Sequence, residues 1–157
     1  FIVGKAFDGW YNAAGIESPG LTCAPAIGRF LAEEAADDLC LSVNKEYISE
    51  RKGIRAFAAM DEEERAQAVA RDPAFGRIVC RCEQVTEAEI VDAIRRPLGA
   101  RDLDGIKRRT RAGMGRCQSG FCRPRTAEIL ARELGIDVCA VTKCGGGSFM
   151  AEGHIDE

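Results

Sequence analysis

The sequence predicts a mostly α-helical fold with a small β contribution. Five segments carry helix start or stop signals, and most of them add apolar residues at helical spacing. Extended, β-like segments are few and short. With 157 residues, 46% of them hydrophobic, the chain suits one medium domain or two small ones and can bury a core.

The first 43 residues predict a strand, a turn and a helix in that order. Residues 1–7 are aromatic and apolar and are typical of a strand, and Ser18-Pro19-Gly20 is a turn sequence. Pro25 is expected to be the first helical residue, followed near one face by Ile27, Phe30, Leu31, Ala35 and Leu39. Backbone N–H groups at such a turn and helix start can meet an anion or an electron-rich ring.

Two further segments flank the central part of the chain. Residues 44–75 are predicted to be a connector with one helix, which starts at a capping box of Asp61 and Glu64. Residues 136–157, rich in glycine and containing the single histidine, His154, are expected to form a flexible and exposed tail.

Residues 76–135 predict three short helices. The first has a capping box, the second an aspartate cap and the third a glycine stop. The residues that give these signals are Thr86 with Glu89, Asp102, and the run from about Pro124 to Leu134 that ends at Gly135.

Four cysteines in two local pairs indicate the chemistry. Cys80 and Cys82 are one residue apart, and Cys117 and Cys122 follow after a spacer of 34 residues, with four residues between them. Soft thiolate ligands in two pairs suit a thiophilic metal centre. Since alternate residues of a strand lie about 7 Å apart, the backbone must bend at Arg81 for both of the first thiols to reach one core.

Glycines near the second pair support a ligand loop. Gly113, Gly115 and Gly120 allow backbone conformations closed to other residues and let amide N–H groups approach the sulfurs. Iron–sulfur is therefore the first candidate for the metal centre.

A structural zinc site is the alternative for these four thiols. A closed four-thiolate zinc site would stabilise the fold without changing redox state. Zinc ribbons usually hold their metal with two Cys-x2-4-Cys motifs, and the Cys-x-Cys start and the long spacer depart from that pattern. The pattern therefore favours an iron–sulfur centre, in which zinc could take the place of iron as a substitute metal. The cysteines outside the two pairs are Cys23, Cys40, Cys139 and Cys144, and we expect them to be reduced and mostly buried. Cys139 and Cys144 repeat the spacing of the second pair, so a second metal site there is the alternative.

The cysteine pattern resembles a known domain family. Over residues 76–135, the two pairs and the preceding run Arg109-Thr-Arg-Ala-Gly-Met-Gly115 are similar to bacterioferritin-associated-ferredoxin-like [2Fe–2S] domains. The version here resembles the one at the C-terminus of anaerobic-type, FAD-dependent glycerol-3-phosphate dehydrogenases and related flavoproteins. The resemblance implies a [2Fe–2S] cluster with Cys80, Cys82, Cys117 and Cys122 as its metal ligands.

A second resemblance lies in the N-terminal segment. Residues 15–28 are similar to the last FAD-contacting segment of D-amino-acid-oxidase-like flavoproteins, a family that includes the same dehydrogenases. The resemblance implies that residues 1–43 are the C-terminal piece of an FAD domain. The implied flavin contacts are Gly15, Ile16, Ser18, Gly20, Leu21 and Thr22.

Together the two resemblances imply part of an electron-transfer enzyme. No Gly-x-Gly-x-x-Gly fingerprint occurs in the chain, so we expect a C-terminal fragment without catalytic residues that neither holds FAD tightly nor oxidises substrate alone. In the intact flavoprotein, electrons from glycerol 3-phosphate, or from an amino-acid or opine substrate, would pass from FAD through the cluster to an acceptor. The implied partners are the N-terminal remainder of the flavoprotein and redox partner subunits, which can be membrane-associated.

Basic residues are concentrated near the cysteines. From Arg95 to Arg125, ten Lys or Arg accompany two acids, although the net charge of the chain is −3. Nucleic acid is disfavoured as a partner because aromatic residues are scarce in this span. We expect Arg81, Arg116 and Arg123 to raise the potential of the cluster, and the remaining cations to be solvated or to dock an acidic redox partner.

The expected location is the cytoplasm, or the inner face of the cell membrane through partners. No apolar run approaches the ~20 residues that span a bilayer. The sequence also contains no stretch typical of a signal peptide.

Overall fold

A computed structural model describes residues 1–153 of the chain and divides it into two compact units, residues 1–51 and the part from Lys52 onward. Helices dominate and strands are short, which confirms the predicted fold class. No helix in this described part is both long and apolar enough to cross a membrane.

The N-terminal unit consists of a hairpin and one helix. Strands β1 (Ile2–Phe7) and β2 (Trp10–Ala14) pair antiparallel, and helix α1 (Gly20–Asp38) follows. The sequence analysis predicted only the first strand. The Asp8-Gly9 dipeptide between the strands, with Gly9 at φ 74°, is a recognised hairpin signal that would have revealed the second.

Helix α1 begins five residues earlier than predicted, at Gly20 rather than Pro25. The carbonyl of Pro19 accepts hydrogen bonds from the N–H groups of Thr22 (3.0 Å) and Cys23 (3.1 Å), which start the helix. Pro25 therefore lies in the second turn. A proline there removes only one intrahelical donor, and the rest of this 19-residue helix keeps its hydrogen bonds.

The C-terminal unit packs three of its four helices around one core. A small antiparallel pair of strands contributes to the unit, with β3 at Ile78–Cys80 and β4 at Val85–Thr86. The helices are α2 (Glu62–Arg71), α3 (Glu87–Arg95), α4 (Leu103–Thr110) and α5 (Arg123–Leu134), with short 3₁₀ turns at Phe57–Ala59, Pro73–Gly76 and Val138–Ala140. The side chains of Ile90, Ile106, Ile129 and Leu130, contributed by α3, α4 and α5, form the fully buried centre of the core.

The predicted caps are all present in this unit. Both capping boxes form, at Asp61 and at Thr86. Asp102 Oδ1 accepts a 2.6 Å hydrogen bond from the N–H of Gly105, and Gly135 ends α5 in the left-handed conformation. The caps at Thr86 and Asp102 set the starts of α3 and α4, the two helices that separate the cysteine pairs.

The predicted connector and tail are more ordered than expected. Much of the connector, from residue 52 onward, belongs to the C-terminal unit, and the N–H of Phe57 donates to the Glu89 carboxylate at 3.1 Å. In the segment after α5, Val141 lies in the core. The carbonyls of Thr142 and Lys143 accept hydrogen bonds of 3.1 and 2.8 Å from the first N–H groups of α4. The predicted exposure of His154 falls outside the described residues.

Candidate metal centre

The four predicted ligands border a single cavity of about 560 Å³. Cys80 is the last residue of β3 and Cys82 lies in the turn that follows. Cys117 lies in the loop after α4, and Cys122 is the N-cap of α5. Folding of α3 and α4 therefore brings together two thiol pairs that are far apart in the sequence.

The thiols contact each other in pairs that cross the two motifs. Cys82 influences the pKa of Cys117, and Cys80 influences that of Cys122, so each thiol of the first motif lies near one thiol of the second. Cys80 and Cys122 are 1% and 4% exposed, whereas Cys82 is exposed and Cys117 is half-buried. One pair thus lies in the interior and the other at the surface.

Amide donors converge on the outer pair. The N–H of Phe121 lowers the pKa of the Cys117 thiol most, and the side chain of Cys82 and further backbone N–H groups of the loop add to this effect. Burial raises the pKa of Cys122 to about 11, and Cys80 adds to the shift. The loop between Cys117 and Cys122 therefore offers amide groups that suit a negatively charged sulfur.

Two glycines before Cys117 lie where a side chain would collide with a neighbouring residue. A Cβ atom on Gly115 would lie 2.3 Å from the Cβ of Cys82, which no real side chain tolerates. A Cβ on Gly113, whose φ is +86°, would lie 2.3 Å from Oγ of Ser119. The close approach around Gly115 is thus part of the geometry that places all four thiols on one cavity.

A buried carboxylate ties the cysteine segments together. The Glu87 side chain is 2% exposed and accepts hydrogen bonds from Arg77 (2.8 Å), Arg132 (2.8 Å) and Arg125 (3.4 Å). The bond from Arg77, followed by that from Arg132, lowers the pKa of Glu87 to about 2 in spite of burial. Arg77 directly precedes β3 and Arg125 follows Cys122 by three residues, so this Glu87 clamp joins both halves of the site.

The cavity also has apolar and cationic neighbours. Arg81 lines it, as predicted, together with Arg125 and three apolar residues that the sequence analysis did not assign to the site, namely Ile78, Val79 and Phe121. Arg123 instead lines a separate cavity of about 200 Å³, which Cys122 also borders. The large apolar side chain of Phe121, placed between two ligand cysteines, was the available sequence signal.

The donor set fits a two-iron centre. All four cysteines border one cavity, and a [2Fe–2S] cluster is held by four cysteine thiolates.

The predicted flavin contacts lie between the end of β2 and the first turn of α1: Gly15, Ile16, Ser18, Gly20, Leu21 and Thr22. Fewer backbone N–H groups are free there than expected. The N–H of Gly20 donates to the carbonyl of Glu17 at 2.9 Å, and that of Thr22 donates to the carbonyl of Pro19. The helix begins early and uses two of the three N–H groups of Gly20, Leu21 and Thr22. Of these three, the N–H of Leu21 remains available to a ligand.

Comparison with known proteins assigns the cysteine domain. Residues 78–132 match the family of BFD-like [2Fe-2S] binding domains. The match confirms the predicted domain family. No solved structure matches the chain significantly.

Three relatives of the chain are named dehydrogenases or oxidases. The chain is 47% identical over 98% of its length to a protein named glycerol 3-phosphate dehydrogenase from Caloramator mitchellensis. It is 46% identical over 36% of its length to an anaerobic glycerol-3-phosphate dehydrogenase subunit from Haloferax volcanii, and 31% identical over 78% to an opine oxidase subunit from Agrobacterium tumefaciens. The chain spans 32%, 9% and 25% of the length of these three proteins.

Proposed function

We propose that the chain is the C-terminal electron-transfer portion of an FAD-dependent dehydrogenase, in which Cys80, Cys82, Cys117 and Cys122 hold a [2Fe–2S] cluster. The observation that carries this proposal is the single cavity bordered by all four thiols, within a domain that matches the BFD-like family. When bound, such a cluster takes up and releases one electron at a time.

The surroundings of the thiols support redox work. Cys80 and Cys122 are buried and Cys82 is exposed, so electrons would be exchanged with partners on the Cys82 side. The amide groups around Cys117 and the charge of Arg81 stabilise added negative charge. Both effects raise the reduction potential of a bound cluster.

Glycerol 3-phosphate is the substrate that we propose for the intact flavoprotein. Its oxidation to dihydroxyacetone phosphate removes a hydride, which FAD accepts, and the hydroxyl proton leaves to a base. The support is the 47% identity to the Caloramator protein over nearly the whole chain. The similarity to the opine oxidase from Agrobacterium makes an opine the second candidate substrate. The flavin contacts at Gly15–Thr22 belong to this proposal.

Anaerobic reconstitution tests the metal centre. Chain treated with iron and sulfide and then reduced with dithionite should bleach in the visible spectrum and give a rhombic S = 1/2 electron paramagnetic resonance signal. Cys80→Ser and Cys117→Ser should abolish the signal, whereas Cys139→Ser, outside the cavity, should retain it. A colourless chain that binds one zinc and takes up no iron would overturn the proposal in favour of a structural zinc module.

Dye reduction by the intact flavoprotein tests the substrate. The assay uses a redox dye as an artificial electron acceptor. We expect the intact flavoprotein to reduce the dye when glycerol 3-phosphate is supplied and not when octopine, an opine, is supplied. The opposite preference would replace glycerol 3-phosphate by an opine and leave the metal centre untouched.

A further inference from the structure

An exposed surface of apolar and cationic residues surrounds the thiol cavity. We call it the cluster rim, and it comprises Ile78, Arg81, Arg116, Phe121 and Arg125. The Phe121 side chain is 88% exposed and that of Ile78 49%. All but Arg116 line the cavity itself, and Arg116 is exposed and adjoins Cys117. Exposed aromatic and arginine side chains of this kind are the residues that anchor protein interfaces.

The positive charge of the cluster rim is not balanced locally. Within residues 1–153, neither Arg81 nor Arg116 forms an ion pair. The neighbouring carboxylate of Glu83 is already engaged by Arg111 at 2.7 Å. Arg125 is ion-paired, yet its side chain remains 51% exposed. The cluster rim therefore combines exposed apolar side chains with two cations, Arg81 and Arg116, that have no acidic partner in the described residues.

We propose that the cluster rim is the docking surface for a protein electron carrier whose contact face presents carboxylates around an apolar centre. This inference rests on the proposed function, because a redox centre in the cavity is what a carrier would dock against. One electron would pass from the reduced site to the oxidised carrier, no group is transferred between the two proteins, and any proton that the reduced carrier takes up comes from solvent.

The composition of the cluster rim favours an acidic protein over other anionic partners. Single-stranded nucleic acids need several aromatic platforms, and the rim offers one exposed aromatic residue. Polybasic membrane sites contain clusters of about four to eight cations, and only Arg81 and Arg116 are free here. Electron carriers form small, transient interfaces, under about 1,200 Å², in which charge complementarity supplies speed and orientation.

Calorimetric titration of the full, reconstituted chain tests the proposal. The probes are flavodoxin, an acidic one-electron carrier, and cytochrome c, a basic one, with all partners oxidised so that binding alone is measured. We expect flavodoxin to bind with an affinity that falls about tenfold between 20 and 300 mM NaCl, and cytochrome c not to bind. No salt-dependent complex with flavodoxin would overturn the inference.

Variants locate the complex on the rim. Arg81→Gln combined with Arg116→Gln should weaken flavodoxin binding about tenfold, since each exposed ion pair contributes about two- to fivefold. The matched pair Arg81→Lys with Arg116→Lys keeps the charge and should keep most of the affinity. Arg101→Gln, at the opposite end of α4 from the Cys117 loop, is the control that should change nothing.

Removal of the aromatic side chain separates docking from assembly. Phe121→Ala leaves the backbone N–H groups near Cys117 in place and should weaken binding about tenfold when variant and wild type are compared at equal cluster content. Tighter binding of single-stranded DNA or of phosphatidylglycerol vesicles through the same residues would overturn the carrier as the partner. A chain that assembles no [2Fe–2S] cluster refutes the proposed function, whereas a loaded chain that fails to bind flavodoxin refutes only this inference.

Discussion

The Glu87 clamp gives a sharp test of what holds the C-terminal unit together. The substitution Glu87→Gln keeps the size of the side chain and removes its charge. Three arginines then face a neutral amide at the N-terminal end of α3, where the wild-type carboxylate is 2% exposed. We therefore expect the variant to be less stable at neutral pH, because removing one partner of a buried ion pair leaves uncompensated charge.

The magnitude follows from the pKa of the carboxyl. Lowering it from the ordinary value of 4.5 to about 2 corresponds to roughly 3 kcal/mol of stabilisation, since each pKa unit is about 1.4 kcal/mol. The guanidinium groups are 51–55% exposed, and solvent screening reduces this to about 2–3 kcal/mol. Because the folded-state pKa is depressed, this stabilisation is complete above pH 4.5 and is lost as the pH falls towards 2.

Urea unfolding of the metal-free, reduced chain measures the effect. The free energy of unfolding, followed by circular dichroism at 222 nm, should be about 2–3 kcal/mol lower for Glu87→Gln at pH 7, and the difference should close between pH 4.5 and 2. Glu128→Gln, which removes an exposed carboxylate on α5, is the matched control and should cost less than about 0.5 kcal/mol. A difference between Glu87→Gln and wild type that is the same at pH 7 and pH 2.5 would refute the reasoning.

Other substitutions test further parts of the structure. Gly115→Ala, whose Cβ would collide with Cys82, should lower the cluster content after reconstitution several-fold, whereas Gly147→Ala, with no atom nearby, should assemble normally. Asp102→Ala should lower the free energy of unfolding by about 1 kcal/mol through loss of the α4 cap; an unchanged value would show that the cap contributes nothing. Val141→Ala should cost about 1–3 kcal/mol, and Val43→Ala, 89% exposed, should cost almost nothing; equal effects would contradict the burial of the C-terminal segment. Chelation of bound metal should leave the helical circular dichroism of the chain nearly unchanged, and a collapse of that signal would show that folding depends on metal.

Local signals were predictable from the sequence. A capping box joins residues three positions apart, so the boxes at Asp61 and Thr86 could be identified without knowledge of the fold. The aspartate cap of α4 and the glycine stop of α5 are equally local. The domain family could be predicted because the spacing of the thiols and the surrounding glycines is distinctive.

Long-range contacts could not be predicted in the same way. Glu87 lies in the first turn of a helix, where acids are common, and its local sequence does not indicate burial. Its arginine partners lie 10, 38 and 45 residues away in the sequence, and no local pattern connects them. The burial of Val141 also depends on long-range contacts, because the segment after α5 packs against a core that residues of α3, α4 and α5 form together.

The same contacts explain how four ligands from distant segments can be assembled before metal arrives. Closing the 34-residue spacer between Cys82 and Cys117 costs chain entropy, and in a metal-dependent zinc finger the metal itself provides that closure. Here the buried residues of α3, α4 and α5 and the Glu87 clamp hold the spacer closed, and Cys80 and Cys122 belong to the same buried core. Since folding already closes the spacer, cluster binding does not have to supply the free energy of that closure. We therefore expect a cluster bound by these thiols to keep nearly the same ligand positions in both redox states.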